Sequence, residues 1–428
     1  MDIFIGIDAG TSGCRAIAIN HDEQLVATVV ISHPGSHHQG HAVTQDPEVW
    51  WRTLTTCLQQ LVQQLPKNTP RAISIAATSG TLLLTDSQGN PLGPALMYND
   101  HQSHAQSQYL KTLGISDHPA LETSGSLAKL IWLHSHHGSQ AAHALHHADW
   151  LAGKLTGHYG YSDENNGLKM GFDALTQCWP PWVLQLPHVG PLLPQVVPPG
   201  TPIANVDGTI ASALGLTPKT LVIAGTTDST AAVIASGVKK IGDAVTSLGS
   251  TLVCKILSTQ PIFSAQYGVY SHRLYQRWIC GGASNTGGAV LNHYFDTTTL
   301  TTLSQKMDIT QPTTLKYYPL LAPGERFPIN NPHHPPQMDP RPPQDVIFLQ
   351  GLFEGIADIE QLAYQRLAEL GTSSPTRVFT LGGGAKNTAW QKIREKKLGI
   401  PIIISQHSEA AYGSARLAKA GYLGESLW

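Results

Sequence analysis

Ile3-Phe4-Ile5-Gly6-Ile7-Asp8-Ala9-Gly10-Thr11-Ser12-Gly13-Cys14-Arg15-Ala16-Ile17-Ala18-Ile19 is the stretch whose reading decides the fold. An apolar run ends in an acid, a glycine-rich loop follows, and a second apolar run begins at once. A dinucleotide or P-loop fingerprint requires a helix directly after such a loop. Residues 14–19 instead read as a strand, and Asn20-His21-Asp22-Glu23 as a turn before a third strand over residues 24–31. This order predicts a phosphate-sized hairpin with a carboxylate at its mouth. In the second half, Ala244-Val245-Thr246-Ser247-Leu248 leads into Gly249-Ser250-Thr251 and a further strand from Leu252. The recurrence suggests two related lobes.

Composition narrows the class. The chain has 428 residues, 13% charged and 41% hydrophobic, with 27 basic and 29 acidic residues for a net charge of -2. That balance supplies no electrostatic footprint for nucleic acid and no basic face for anionic lipid. It also excludes general disorder. No apolar run reaches the ~18 residues of a membrane span. The N-terminus, Met1-Asp2-Ile3-Phe4-Ile5, lacks a basic n-region and a cleavage pattern, so no secretory signal is expected. The five cysteines are odd in number and dispersed, with no C-x-x-C pair, and read as small buried apolar residues of a reducing compartment. The 21 histidines sit among Ser, Gln and Gly without carboxylates at ligand spacing, and read as solvated faces. A cytoplasmic protein is expected, or a stromal one in a plant lineage, acting on small molecules without nucleic acid or membrane, as monomer or homodimer.

Hydrophobic periodicity predicts helices over residues 50–64, 127–134, 143–155 and 347–370, and strands over 71–77, 81–85, 94–98 and 378–381. Proline-rich stretches at 180–202 and 327–343 read as irregular surface segments. The lobe boundary is placed where the chain re-enters strand near Val222, giving domains 1–220 and 221–428.

In this order the motifs resemble the FGGY carbohydrate kinases. Residues 7–12 resemble the family's first phosphate motif, and Gly125-Ser126-Leu127-Ala128-Lys129-Leu130-Ile131-Trp132-Leu133 its first signature. Gly225-Thr226-Thr227-Asp228-Ser229 is similar to the segment carrying the family's catalytic aspartate. Gly249-Ser250-Thr251 resembles its second phosphate motif, Gln350-Gly351-Leu352-Phe353-Glu354-Gly355-Ile356 its second signature, and Leu381-Gly382-Gly383-Gly384-Ala385-Lys386-Asn387 its adenosine motif. The resemblance covers residues 1 to about 420 and implies an α/β fold of two actin/hexokinase-like (ribonuclease-H-like) lobes with an ATP cleft between them. Two departures stand out. Tyr98-Asn99-Asp100-His101-Gln102 occupies the place of the family's Trp-x-Asp-x-Arg, so an arginine near the sugar is missing, and the chain is shorter than most members. Thr78-Ser79-Gly80-Thr81 and Gly281-Gly282-Ala283-Ser284-Asn285-Thr286-Gly287-Gly288 look most like the branch of short cyanobacterial and plant-type D-ribulose kinases.

The resemblance implies an ATP-dependent kinase acting on a primary hydroxyl of a ketopentose, D-ribulose first, then D-xylulose or another ketose or polyol. Backbone amides of a Gly/Ser/Thr hairpin can converge on an anion, so Gly10, Thr11, Ser12, Gly249, Ser250 and Thr251 are assigned to the ATP phosphates. Gly382, Gly383, Gly384, Asn387 and Asn285 are assigned to the nucleoside, with Lys386 and Asn292 nearby. Asp8, ending an apolar strand, is expected to anchor Mg²⁺ through water, since Mg²⁺ takes few carboxylates and keeps several waters. Asp228 is the expected general base, and Ser79, Gly80, Asp100, Asp8 and Asp228 are expected at the sugar. Local alternatives stand beside these roles: a helix cap for Asp228 or Asp100, a turn serine for Ser79, a turn cap for Asp8, and plain hairpin turns for the loops. A non-catalytic sugar- or ATP-sensing module and an actin-like assembly are the competing classes.

Overall fold

A computed structural model describes residues 2–67, 69–115, 118–122 and 125–428. The chain divides into two compact units. One comprises the chain up to Ala235 together with His272–Tyr275 and Glu409–Trp428; the other comprises Ser236–Ser271 and Gln276–Ser408.

The first unit is built on a six-stranded sheet in the spatial order Pro202–Asn205, Leu221–Thr227, Pro70–Ala77, Ile3–Ala9, Gly13–Asn20, Leu25–Ser32. Ile3–Ala9, Gly13–Asn20 and Leu25–Ser32 form an antiparallel meander, as the opening sequence predicts. Pro70–Ala77 then joins Ile3–Ala9 in parallel, and Leu221–Thr227 joins Pro70–Ala77 in parallel. The second unit repeats this topology. Asp243–Leu248, Leu252–Ser258 and Arg277–Ala283 pair antiparallel in sequence, and Arg377–Leu381 followed by Ile402–Ile404 extend the sheet in parallel from Asp243–Leu248. The two glycine-rich hairpins therefore occupy the same topological position, between first and second strands, which bears out the duplicated pattern.

Local chemistry explains the helices that cover the first sheet. Helix Pro47–Val62 starts with Asp46 accepting from the Glu48 N–H at 3.0 Å and a proline in the first turn, and buries Trp50, Leu54, Cys57, Leu58 and Leu61. Each large apolar side chain so buried contributes about 1.5–3 kcal/mol. Helix Ala410–Leu423 lies so near Ile3–Ala9 that a Cβ on Gly6 would sit 1.9 Å from the Ala411 carbonyl oxygen. The same helix meets helix Asp228–Ala235 at Gly413, whose Cβ would sit 1.8 Å from the Ala231 oxygen. In the second unit the 25-residue helix Asp345–Glu369 carries Glu360, which is 0% exposed and paired with buried Arg394 at 2.6 Å. Thr246 also donates to Glu360, and Thr380 accepts from Arg394, so that no polar group of the pair is left without donors or acceptors.

Two expectations are corrected. The first unit runs on to Ala235 instead of ending at residue 220, because Leu221–Thr227 pairs with Pro70–Ala77 of the first sheet. Asp228 thus belongs to the first unit. Residues 143–155 are not one helix: His143–His146 is a strand pairing Leu82–Thr85, and the helix is His147–Thr156. No helix among the described residues is long and apolar enough to cross a membrane.

Candidate active site

In open sheets with parallel strands, ligands gather beyond the strands' carboxyl ends. Four expected residues of the first unit, Asp8, Ser79, Gly80 and Asp228, stand there. Asp8 and Thr226 both align with Ala76 of the strand between them, and Ala9 and Thr227 both align with Ala77. Asp8, residues 78–80 and Asp228 therefore share one edge. Two strand spacings and a two-residue offset put the Asp8 and Asp228 Cα atoms on the order of 10 Å apart.

The Asp8 carboxyl is pushed up from 3.8 to about 6, first by burial, then by the charge of Asp228, with Arg15 pulling the other way. Arg15 is its cross-strand partner. Two carboxylates on one partly dry edge with so little positive compensation form a donor set that a divalent cation would satisfy. Among the described residues no cluster of three or more His, Cys, Asp or Glu is placed to hold a metal ion. The fit is thus to a cation held mainly by waters and phosphate, as Mg²⁺ is.

Asp228 is the first residue of helix Asp228–Ala235. The Thr227 hydroxyl, just before it, donates to the Thr230 hydroxyl at 2.9 Å. Asp228 Oδ1 accepts from the Ser229 N–H at 2.6 Å, and the side chain stays partly exposed. The end of its strand is held by Asn165, whose amide donates to Thr226 Oγ1 at 2.9 Å and to the Arg273 carbonyl at 2.9 Å. Asn165 stands in the polar run Ser162-Asp163-Glu164-Asn165-Asn166, and nothing in that run names Thr226 or Arg273 as its partner.

Ser79 and Gly80 sit where the chain leaves Pro70–Ala77 for Leu82–Thr85, a strand of a separate five-stranded sheet. The crossing is held by a bond between Thr78 and Thr81 hydroxyls at 2.8 Å. Ser79 Oγ is buried and has no hydrogen-bond partner, an unsatisfied group whose cost a ligand hydroxyl would remove. Asp100 is 0% exposed, and its carboxylate accepts from the Val43 N–H at 2.7 Å and from both the backbone and the side-chain amide of Gln102 at 3.0 and 2.9 Å. These bonds brace the loop, two of them at Oδ2 and one at Oδ1. Asp100 does not cap the next helix, His104–Lys111, whose N-cap position is Ser103.

The first hairpin closes with Gly10 N–H donating to the Gly13 carbonyl at 2.9 Å. The Gln45 amide holds the Thr11 carbonyl at 3.2 Å, and the Ser12 carbonyl accepts from His33 N–H at 2.9 Å. With these carbonyls drawn back, the hairpin tip presents its donor side. In the second unit, the Gly249 and Ser250 carbonyls accept from Gly288 and Ala289 at 2.8 and 3.0 Å in the same manner.

Beside that second hairpin opens a cavity of about 630 Å³. Leu291, Leu300 and Trp390 give it apolar walls, and Asn292, Ser304 and Asn387 polar ones. The volume lies within the ~300–1,000 Å³ of small-molecule sites. Gly249 and Ser250, expected at the phosphates, and Gly383, Gly384, Lys386 and Asn387, expected at the nucleoside, are among its lining residues. Gly382 and Thr251 adjoin the lining in sequence without being part of it. Asn285 does not belong to it: its side chain donates to the Gly324 carbonyl at 3.0 Å and accepts from Arg326 at 2.7 Å. The asparagine on the wall is Asn292, seven residues on and within the helix Gly288–Tyr294.

Repeated strand order and glycine-rich hairpins in matching positions give an α/β fold of two related units, and similarity to known proteins names its family. Residues 3–235 match the N-terminal domain, and residues 244–422 the C-terminal domain, of the FGGY family of carbohydrate kinases. The chain belongs to that family and is a sugar kinase. The xylulose kinase of Staphylococcus xylosus is 22% identical over 458 residues, covering 98% of this chain and 91% of its own. That of Streptomyces coelicolor is 28% identical over 452 residues, covering 98% and 88%. The crystal structure of a ligand-bound xylulose kinase from Lactobacillus acidophilus shares the fold at a TM-score of 0.88 and 19% identity, over 99% of this chain and 90% of that one.

Proposed function

We propose that the protein transfers the γ-phosphate of ATP to the primary O5 hydroxyl of a ketopentose. The observation that carries this reading is the shared carboxyl edge of Asp8, Ser79 and Asp228 in one sheet. Asp228 accepts the proton of the attacking hydroxyl, a positioned base being worth typically ~10²–10⁴-fold. The oxygen then bonds to the γ-phosphorus as the bond to the β-γ bridging oxygen breaks, and ADP leaves. Ser79 bonds a sugar hydroxyl, and Gly80 admits the sugar close to the backbone. The two hairpins donate to phosphate oxygens, and the cavity of the second unit takes the adenosine. Mg²⁺, when bound, neutralises developing phosphate charge, and Asp8 would hold it through its waters.

D-ribulose is the first substrate of this reading, on the strength of residues 78–81 and 281–288. D-xylulose is the second, favoured by the activity for which the similar proteins are named. ADP release measured with Mg-ATP against D-ribulose, D-xylulose, L-ribulose, glycerol and no sugar tests both. Strong stimulation by one ketopentose is expected. Equal ADP release with every sugar and with none would refute the reading and favour a sensing module.

A further inference from the structure

Lys129 interrupts the apolar run Leu127-Ala128-Lys129-Leu130-Ile131 on helix Ser126–His137, and its side chain is 0% exposed. A buried ammonium is costly unless all its donors are used. Here its Nζ donates to the carbonyls of Gly80 at 2.8 Å, Met97 at 2.8 Å and Tyr98 at 3.2 Å. These acceptors come from two separate turns. Gly80, with φ at 81°, belongs to the crossing that carries Ser79; Met97 and Tyr98 begin the loop that carries Asp100. The second loop is itself folded back by the Asp100 N–H donating to the Met97 carbonyl at 3.0 Å, and tied to the first by the Tyr98 N–H donating to Thr81 Oγ1 at 3.1 Å.

We propose that Lys129 is a positioning residue for the sugar: one ammonium, from a helix behind the site, fixes the Ser79 turn and the Tyr98 loop in the geometry that receives the acceptor. Lys129 touches no reacting atom. It acts by setting where the backbone of both turns lies, and so where the Ser79 hydroxyl points. This inference rests on the sugar-kinase reading of the same edge. The charge state matters as well, because three carbonyls need three N–H groups and a neutral amine has two. Burial, with some help from Lys169 and against Asp100, brings the ammonium down from 10.5 to about 7. Those two are the charged groups that act on it.

The experiment compares wild type with Lys129→Met, which keeps length and removes all donors, and with Lys129→Gln, which restores one amide. The sugar KM of Lys129→Met should rise about tenfold or more, equivalent to ~1.4 kcal/mol. The ATP KM should move less than about twofold, since the nucleotide cavity lies in the other unit. Lys129→Gln should fall between. In wild type, kcat/KM for sugar should decline as pH rises through about 7, and Lys129→Met should lack that limb. Equal rises in both KM values, or an unchanged alkaline limb in Lys129→Met, would overturn the proposal. If Lys129→Met does not fold, the same comparisons are made on Lys129→Gln. Amide exchange over residues 79–83 and 97–102 gives a readout free of substrate identity. Faster exchange there in the variants is expected, and unchanged exchange overturns the clamp. Should wild type phosphorylate no sugar, the kinase reading falls while exchange still decides the clamp.

Discussion

Asp8 should be a residue the unliganded protein would fold better without. Its carboxyl, pushed from 3.8 to about 6, is held by the folded chain in a place that disfavours its charge. A pKa difference of one is 1.36 kcal/mol, so ionised Asp8 costs the folded state up to about 3 kcal/mol at neutral pH. Partial exposure of the group reduces this to roughly 1–3 kcal/mol. The sign follows from linkage. A group whose folded pKa is raised favours folding fully below its unfolded pKa and loses that contribution as pH climbs through the folded value. The penalty is thus absent near pH 3.8, grows towards about 6, and is constant above. Asp8→Asn removes the charge at nearly constant volume. It should raise the melting temperature of the first unit by roughly 2–12 °C at pH 7.5, at ~2–4 °C per kcal/mol, and by far less near pH 4. Scanning calorimetry without nucleotide, sugar or Mg²⁺ measures this, and the same variant should lose Mg-dependent turnover. A variant that melts below wild type at pH 7.5, or a gap that is the same at both pH values, refutes the reasoning.

Asp228→Asn should lower turnover by about 10²–10⁴-fold with ATP binding kept, as isothermal titration would show; a loss under tenfold would remove it as the base. Arg394→Met strands the buried Glu360 carboxylate and should cost about 3–5 kcal/mol, whereas pairing it with Glu360→Leu should recover most of the loss in urea unfolding. Gly384→Val should raise the ATP KM about tenfold and spare the sugar, because a Cβ at Gly384 already lies 2.6 Å from the Trp390 ring and 2.8 Å from Leu248 Cβ. An unchanged ATP KM would mean the nucleotide sits elsewhere.

What the sequence made legible was local chemistry. Both hairpins could be read because a glycine, hydroxyl residues and flanking apolar runs lie within a dozen positions, and the antiparallel meander follows from adjacency. The parallel pairing of Leu221–Thr227 with Pro70–Ala77 joins segments some 150 residues apart, and nothing in either segment names its partner. That is why the unit boundary was expected at 220 and lies at Ala235. Asp100 shows the same limit at side-chain scale. An acid between Asn99 and His101 gives no sign in the sequence that one of its oxygens accepts from the Val43 N–H, 57 residues away. Lys129 was visible as a lone cation in an apolar run, but its three acceptors were not.

The first unit is written in the chain as two ends around a middle. Phe4, Ile17, Ile19 and Ala72 are covered by Ala411, Tyr412, Ala415 and Ala418, and residues 236–408 are synthesised in between. At ~5–20 residues per second, the strand Ile3–Ala9 waits about 20–80 s for the helix Ala410–Leu423 that packs on it. The second unit, Ser236–Ser271 and Gln276–Ser408, is made during that wait and has all its own parts in hand first. The first unit is therefore finished last, and a nascent chain cut short of Ala410 would leave the apolar face of Phe4, Ile17, Ile19 and Ala72 uncovered.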